Sequence, residues 1–304
     1  MAKNKPQINS VEMEHTEPMI YMNPFTDYGF KKLFGEEDSK EFLVDFLNSV
    51  LEGFIPHIHE LTYHKNEHLG NKPIDRSAIF DLYCKTKEGN TFIIELQKVK
   101  QDYFKQKSLF YSTFAIAEQA KRNSWDFKLN PVYCIGILNF SLGKNSNKYI
   151  TKAKILDIET QEIVIEELNF AFIECPKFNK IITKYSSRQD KWLYILSHLH
   201  HLQSMPKELS EKLFEEFFTK ANILKLSSKE RSQYNASITY SMDIQNVEKQ
   251  NFAKGKLEGV QEGIQQGIQQ EKINIIKQMK KENISIDVIQ KLTGLTDKDI
   301  DNIN

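Results

Sequence analysis

Cysteine is scarce in this 304-residue chain: Cys84, Cys134 and Cys175 are all there are. They lie apart in apolar, strand-like runs without metal-ligand spacing, which argues against a disulfide framework or a thiolate zinc site. They read as small core residues of a reduced, cytoplasmic protein. Net charge is absent as well, with 41 basic residues against 41 acidic ones. That balance excludes a chain-wide electrostatic footprint for nucleic acid, so any such contact must come from a local patch. No apolar run approaches the roughly 20 residues of a membrane span, and the N-terminus lacks the apolar stretch of a signal peptide.

What is present is ample core material, 40% hydrophobic residues. The length suits one large domain with an appendage, or two domains. The most informative stretch is Ala78–Val99, AIFDLYCKTKEGNTFIIELQKV. Two runs of β-branched and aromatic residues flank Lys87-Glu88-Gly89-Asn90, which is a hairpin signal. Asp81 lies inside the first run, and Glu95 and Gln97 lie inside the second. A carboxylate among apolar strand residues is costly to bury without a metal ion or a positive partner.

Side chains alternate along a strand, so Glu95 and Gln97 share one face while Phe92, Ile94 and Leu96 share the other. An odd-length loop brings Asp81 to the Glu95 face. A three-residue loop Glu88-Gly89-Asn90, with Gly89 or Asn90 left-handed, sets Asp81 opposite Gln97 and Tyr83 opposite Glu95. Two carboxylates converging there can hold a divalent cation through oxygen alone, as Mg²⁺ prefers. The plainer alternative leaves both at exposed strand ends, paired with Lys87, Lys98 or Lys100.

Asp81, a gap of thirteen residues and then Glu95-Leu96-Gln97 resemble the metal site of the PD-(D/E)XK nucleases. More narrowly they resemble the recombination-promoting nuclease and transposase (Rpn-type) branch, whose site ends in Glu-x-Gln. Three more stretches look like that family's opening helices, a core strand and its glycine-punctuated end. They are NPFTDYGFKKLFGEEDSKEFLVDFLNSVL (Asn23–Leu51), NPVYCIGILNF (Asn130–Phe140) and EGVQEGIQQGIQQEK from Glu258. The resemblance implies a restriction-endonuclease-like α/β fold, a mixed sheet flanked by helices, with a helical C-terminal region. It also implies an endonuclease that cuts DNA and promotes recombination or mobile-element transfer. Asp81 and Glu95 would bind Mg²⁺ or Mn²⁺ with help from the Leu96 carbonyl, and Gln97 would orient the attacking water. The wider superfamily carries Lys where Gln97 stands, so this site lacks that residue's charge. An acidic residue from a helix before the sheet, Asp27 or Glu41, would add to it. The competing class is a nuclease fold kept for DNA or protein binding without catalysis; RNA as substrate stays open.

Around this centre, residues 1–20 read as disordered. Thr26 caps a helix ended by Gly35, and Ser39 starts another with the stripe Phe42, Leu43, Phe46, Leu47, Val50 and Leu51. His57, His59, His64 and His68 form a histidine-rich stretch, His57 to Leu61 with strand-like alternation, but not at zinc spacing. Lys65, Lys72 and Arg76 are candidate backbone contacts. Asp102–Arg122 reads as a helix with Phe110, Phe114 and Ala117 on one side. Lys107 lies on that side, either reaching a phosphate or snorkelling at the sheet's rim; the family usually has Arg there. Val132–Leu138 reads as a buried strand, with further strands near Tyr149–Ile158, Ile163–Leu168 and Phe170–Cys175. The expected organisation is a nuclease-like domain over 21–185, a helical extension over 186–245 and a tail over 246–304. His198, His200 and His201 fall in the extension as surface or packing residues. In the tail, Gly255, Gly259, Gly263 and Gly267 recur every four residues beside Val260, Ile264 and Ile268, which suits homo-oligomerisation or a partly helical linker. Beyond it, Ile286–Leu292 and Lys298–Ile303 read as two short helices, a hairpin or a helix-turn-helix. Thr296 and Asp299 resemble a capping box, and Asp297, Asp299 and Asp301 weigh against DNA contact.

Overall fold

The structure is a computed structural model that describes residues 18–65, 67–68, 78–120, 126–143 and 147–303, with backbone alone at 67–68 and 78–79. The N-terminal stretch before residue 18, the side chain of His68, Lys72 and Arg76, and the helix end at Arg122 lie outside the described residues. The chain forms two compact units, one ending at Ser241 and one starting at Met242.

In the first unit Thr26 caps α1 (Asp27–Phe34) by accepting from the Gly29 amide, and α1 buries Phe30, Leu33 and Phe34. Ser39 makes no cap bond; it closes a short 3₁₀ turn and α2 follows as Lys40–Val50. The strands are β1 (Leu61–Tyr63), β2 (Glu67–His68), β3 (Ala78–Ile79), β4 (Leu82–Thr86) and β5 (Thr91–Gln97). Helix α3 (Phe104–Ala117) leads to β6 (Val132–Leu138), β7 (Ile150–Leu156) and β8 (Ile163–Glu174). His57–Glu60 is irregular lead-in to β1, not strand. The two strands expected on either side of Asn169 are one, because β7 pairs along most of its length and Asn169 satisfies its own amide on the Glu166 carbonyl.

Six strands form one sheet in the order β1-β4-β5-β6-β8-β7, in which β5, β6 and β8 run parallel and the rest antiparallel. The β5-to-β6 crossover runs through α3, as parallel neighbours require. One face carries the main core, where α1, α2, α4 (Arg188–His198) and α5 (Lys212–Ala221) meet Phe92, Ile94, Ile135 and Ile173. Trp192 is fully buried at its centre, with Phe34, Phe46, Phe214 and Phe217 ring centroids 5.1–5.9 Å away. Its indole N–H donates to Asp45 at 2.6 Å, and Arg188 holds both oxygens of that carboxylate at 2.7 Å.

The other face is covered by α3, through Phe104, Ser108, Ser112 and Ala115. This corrects the expected stripe: Phe110 and Ala117 are exposed and Phe114 only half-buried. Gly136, in the interior of β6, decides it. A Cβ there would come within 2.7 Å of the Phe104 ring, so the missing side chain lets Phe104 lie directly on β6 and sets the helix's rotation.

Helix α6 (Ser228–Lys281) continues through the division between the units. In the second unit α7 (Ile286–Thr293) ends at left-handed Gly294, and α8 (Asp297–Asp301) starts on the Thr296–Asp299 capping box. Ile276, Ile289 and Ile300 form a small core there. Among the described residues no helix is long and apolar enough to cross a membrane.

Candidate active site

The site begins with a turn. The Gly89 amide donates to the Thr86 carbonyl and the Thr86 amide to Asn90, both at 3.0 Å, which closes a three-residue loop Lys87-Glu88-Gly89. Gly89 has φ +93°, a conformation open to glycine. The loop is odd, as expected, but begins one residue earlier. The pairing is therefore Leu82 with Ile94 and Tyr83 with Ile93, so Asp81 faces Glu95 and not Gln97. The shift is two residues and leaves the faces unchanged.

Asp81 and Glu95 are brought together directly. The Asp81 amide donates to Glu95 Oε1 at 3.3 Å, and Asp81 Oδ2 accepts from the Leu96 amide at 2.6 Å. Glu95 is 6% exposed, and its Oε2 accepts from Lys107 Nζ at 2.7 Å. The lysine also lies 4.9 Å from the Tyr111 ring centre. The alternative of exposed carboxylates on Lys87, Lys98 or Lys100 is thereby excluded for Glu95: its cation comes from α3. Gln97 is on the same strand face, but its amide donates to the Val99 carbonyl at 3.1 Å and touches neither carboxylate.

Electrostatics follow from one ammonium set against a buried and a half-buried carboxylate. Burial raises the pKa of Glu95, the Asp81 charge raises it further, and Lys107 opposes both. Burial also raises Asp81, against the Leu96 amide, which stabilises its charged form. Lys107 is pulled down by burial, but Glu95 outweighs this and leaves it raised. The pair thus carries a net negative charge when ionised. Asp81 Oδ1 accepts no hydrogen bond among the described residues, which leaves a hard oxygen donor free for a cation.

Beside Asp81 opens a cleft of about 350 Å³ lined by Asp27, Tyr28, Lys31, Tyr63 and His64. Asp27 lies at the start of α1, paired with Lys31 at 2.6 Å, and its charge reaches Asp81. Glu41 is exposed on α2 and does not line the cleft. Among the described residues no three His, Cys, Asp or Glu side chains converge as a metal site. His57 and His59 instead pack edge to face, with ring centroids 4.9 Å apart. The residue that sequence reasoning left undecided is Lys107; the signal that finds it is Gly136, which lies opposite Glu95 on β6 and lets α3 approach.

A family model described as PD-(D/E)XK nuclease family transposase matches residues 24–251. No curated protein and no solved structure matches the chain. The family model covers most of the chain, both carboxylates and Lys107 included, and the chain belongs to that family.

Two carboxylates with raised pKa values oppose folding once both are ionised. In wild-type protein, metal-free, stability should fall as pH rises out of the ordinary carboxylate range through these raised values. Asp81→Asn keeps an acceptor for Leu96 and removes one charge. It should be the more stable protein at pH 8, by on the order of 1 kcal/mol per unit of pKa displaced, with the advantage gone near pH 4. Urea unfolding in EDTA at both pH values checks this.

Proposed function

We propose that this member of the PD-(D/E)XK nuclease transposase family is a divalent-metal-dependent endodeoxyribonuclease. It would use Mg²⁺ or Mn²⁺ to hydrolyse phosphodiester bonds in DNA and so promote recombination or mobile-element transfer. The observation that carries the reading is the Asp81–Glu95 pair, in which one ammonium, bound to Glu95, is set against two carboxylates. Its oxygen donors and residual negative charge suit a hard cation. Leu96 adds to the fit: its amide meets Asp81, and an extended residue turns its carbonyl to the same side of the strand.

A bound divalent cation lowers the pKa of a water and stabilises charge on the phosphate. The chain's own residues do the rest. Asp81 and Glu95 would hold the cation. Gln97 leaves the Val99 carbonyl to orient the attacking water, a role that needs hydrogen bonds but no charge. Lys107 supplies the charge that Gln97 lacks and offsets the negative charge that builds on the phosphate. Asp27 extends the acidic wall of the cleft and Lys31 faces it. The competing reading, a non-catalytic binding module, draws on the engaged Gln97 amide.

Self-association through the tail over 246–304 belongs to the same proposal. Val260, Ile264 and Ile268 are 51–64% exposed. An added Cβ at Gly255, Gly259, Gly263 or Gly267 would meet nothing within 4 Å, so packing inside the chain does not demand glycine there.

Supercoiled plasmid is expected to be nicked with Mg²⁺ or Mn²⁺ and left intact with EDTA. Asp81→Ala and Glu95→Gln should each abolish nicking, and Lys107→Met should slow it by about 10²–10³-fold. Nicking that persists in both carboxylate variants, or is absent from wild type, contradicts the reading. For the tail, light scattering should give a multiple of the chain mass that falls to one chain in Ile264→Glu/Ile268→Glu. A wild-type mass of one chain contradicts self-association.

A further inference from the structure

The cleft beside Asp81 has two walls, one from α1 and one from the strands β1 and β4. Most of the polar groups on them are already engaged. On the α1 wall Asp27 pairs with Lys31 at 2.6 Å, and Glu36 pairs with Lys32 at 3.0 Å. On the strand wall the Tyr63 hydroxyl donates to the Phe34 carbonyl and the Tyr83 hydroxyl to Glu118. Two donors differ from the rest. The Tyr28 hydroxyl and the His64 ring both line the cleft, and neither forms a hydrogen bond among the described residues.

The sheet fixes where His64 stands. Its amide donates to the Tyr83 carbonyl at 2.8 Å, which carries the β1–β4 pairing one residue beyond Tyr63. The His64 and Tyr83 ring centres, 6.1 Å apart, put the imidazole on the Tyr83 face. Asp81, two residues before Tyr83, shares that face. His64 and Asp81 are therefore diagonal neighbours across the two strands, roughly 7–8 Å apart. Tyr28 approaches from the opposite wall, tethered by its own amide to the Ser237 hydroxyl at 3.2 Å. Lys31 stands one turn further along α1. Its pair with Asp27 is open to solvent on both sides, and such a pair contributes little, so the ammonium can turn to a bound anion at small cost.

We propose that Tyr28, Lys31 and His64 form a subsite for one backbone phosphate of the polynucleotide, beside the phosphate that is cut. The subsite rests on the nuclease reading for its choice of polymer. The unbridged oxygens of a phosphodiester accept hydrogen bonds and donate none, which matches a cleft whose idle groups are donors. A hydroxyl and, in either tautomer, one imidazole nitrogen supply them. The cavity of about 350 Å³ admits a phosphate with its flanking sugar, and Asp81 lines the same space. Contacts of this kind set the register of the strand over the carboxylates and carry no base preference.

The test is binding of a fluorescent duplex oligonucleotide, read by anisotropy in EDTA with full-length protein. His64→Ala and Tyr28→Phe should each weaken binding by about tenfold, the size of a hydrogen bond to a charged group. The double variant should lose less than the product of the two losses, because both donors hold one phosphate. Lys31→Met should reduce the slope of log affinity against log salt by about one. His64 is exposed, so His64→Ala should keep the wild-type thermal midpoint and report on binding alone. Wild-type affinity in His64→Ala, losses that multiply in full, or an unchanged salt slope overturns the subsite. Histidine side-chain NMR signals supply a second arm, in which His64 should shift on addition of duplex. A shift with inorganic phosphate and none with duplex overturns the nucleic-acid assignment. No turnover enters these readouts. A protein that nicks plasmid but binds duplex equally well as His64→Ala refutes the subsite alone, whereas wild type that binds no duplex refutes the polymer and the subsite together.

Discussion

The hydrogen bond from the Leu96 amide to the Asp81 carboxylate ties the site to the sheet. It joins the first residue before β4 to the carboxyl end of β5, and it exists only in one hairpin register. That register is set by the left-handed Gly89 at the turn. A slip of one residue would turn Asp81 to the opposite face and leave Glu95 buried without its neighbour. The local geometry of a three-residue loop thus decides whether two carboxylates meet.

The second constraint is close packing on the α3 side. Glu95 lies opposite Gly136 on β6, and Phe104 rests in the space that glycine leaves. Lys107 is nearly one turn further along α3 and so comes down onto Glu95. Buried charge, helix approach and strand pairing are one arrangement here. Glu95 tolerates burial because Lys107 reaches it, and Lys107 reaches it because β6 carries no side chain at that row. One cation against two anions leaves the pair short of charge, which is the physical reason to expect a divalent ion there.

Much of this was legible in the residues. Alternation along Ala78–Val99 placed Glu95 and Gln97 on one face, and the odd loop brought Asp81 to it. The spacing of Phe42, Phe46 and Val50, the cap at Thr26 and the capping box at Thr296 all report local physics, and the helices appear where they point. The exact pairing was not legible, because Glu88-Gly89-Asn90 and Lys87-Glu88-Gly89 are both odd loops that accept a left-handed residue. The packed side of α3 was hidden for a different reason: its aromatic residues are spread around the helix, and contacts with Gly136 choose among them. The role of Lys107 depends on that choice. The break expected at Asn169 failed because a polar residue with its own hydrogen bond can stay in a strand.

Calorimetric titration of Mn²⁺ into the metal-free, full-length protein tests the central claim most directly. The account predicts saturable binding to wild type that is lost in Asp81→Ala and in Glu95→Ala. Repeating the titration in two buffers of different ionisation enthalpy should also reveal proton release near neutral pH, because the ion displaces protons from carboxylates whose pKa values are raised. Binding that is equally strong in both alanine variants, or no binding to wild type, would contradict the account.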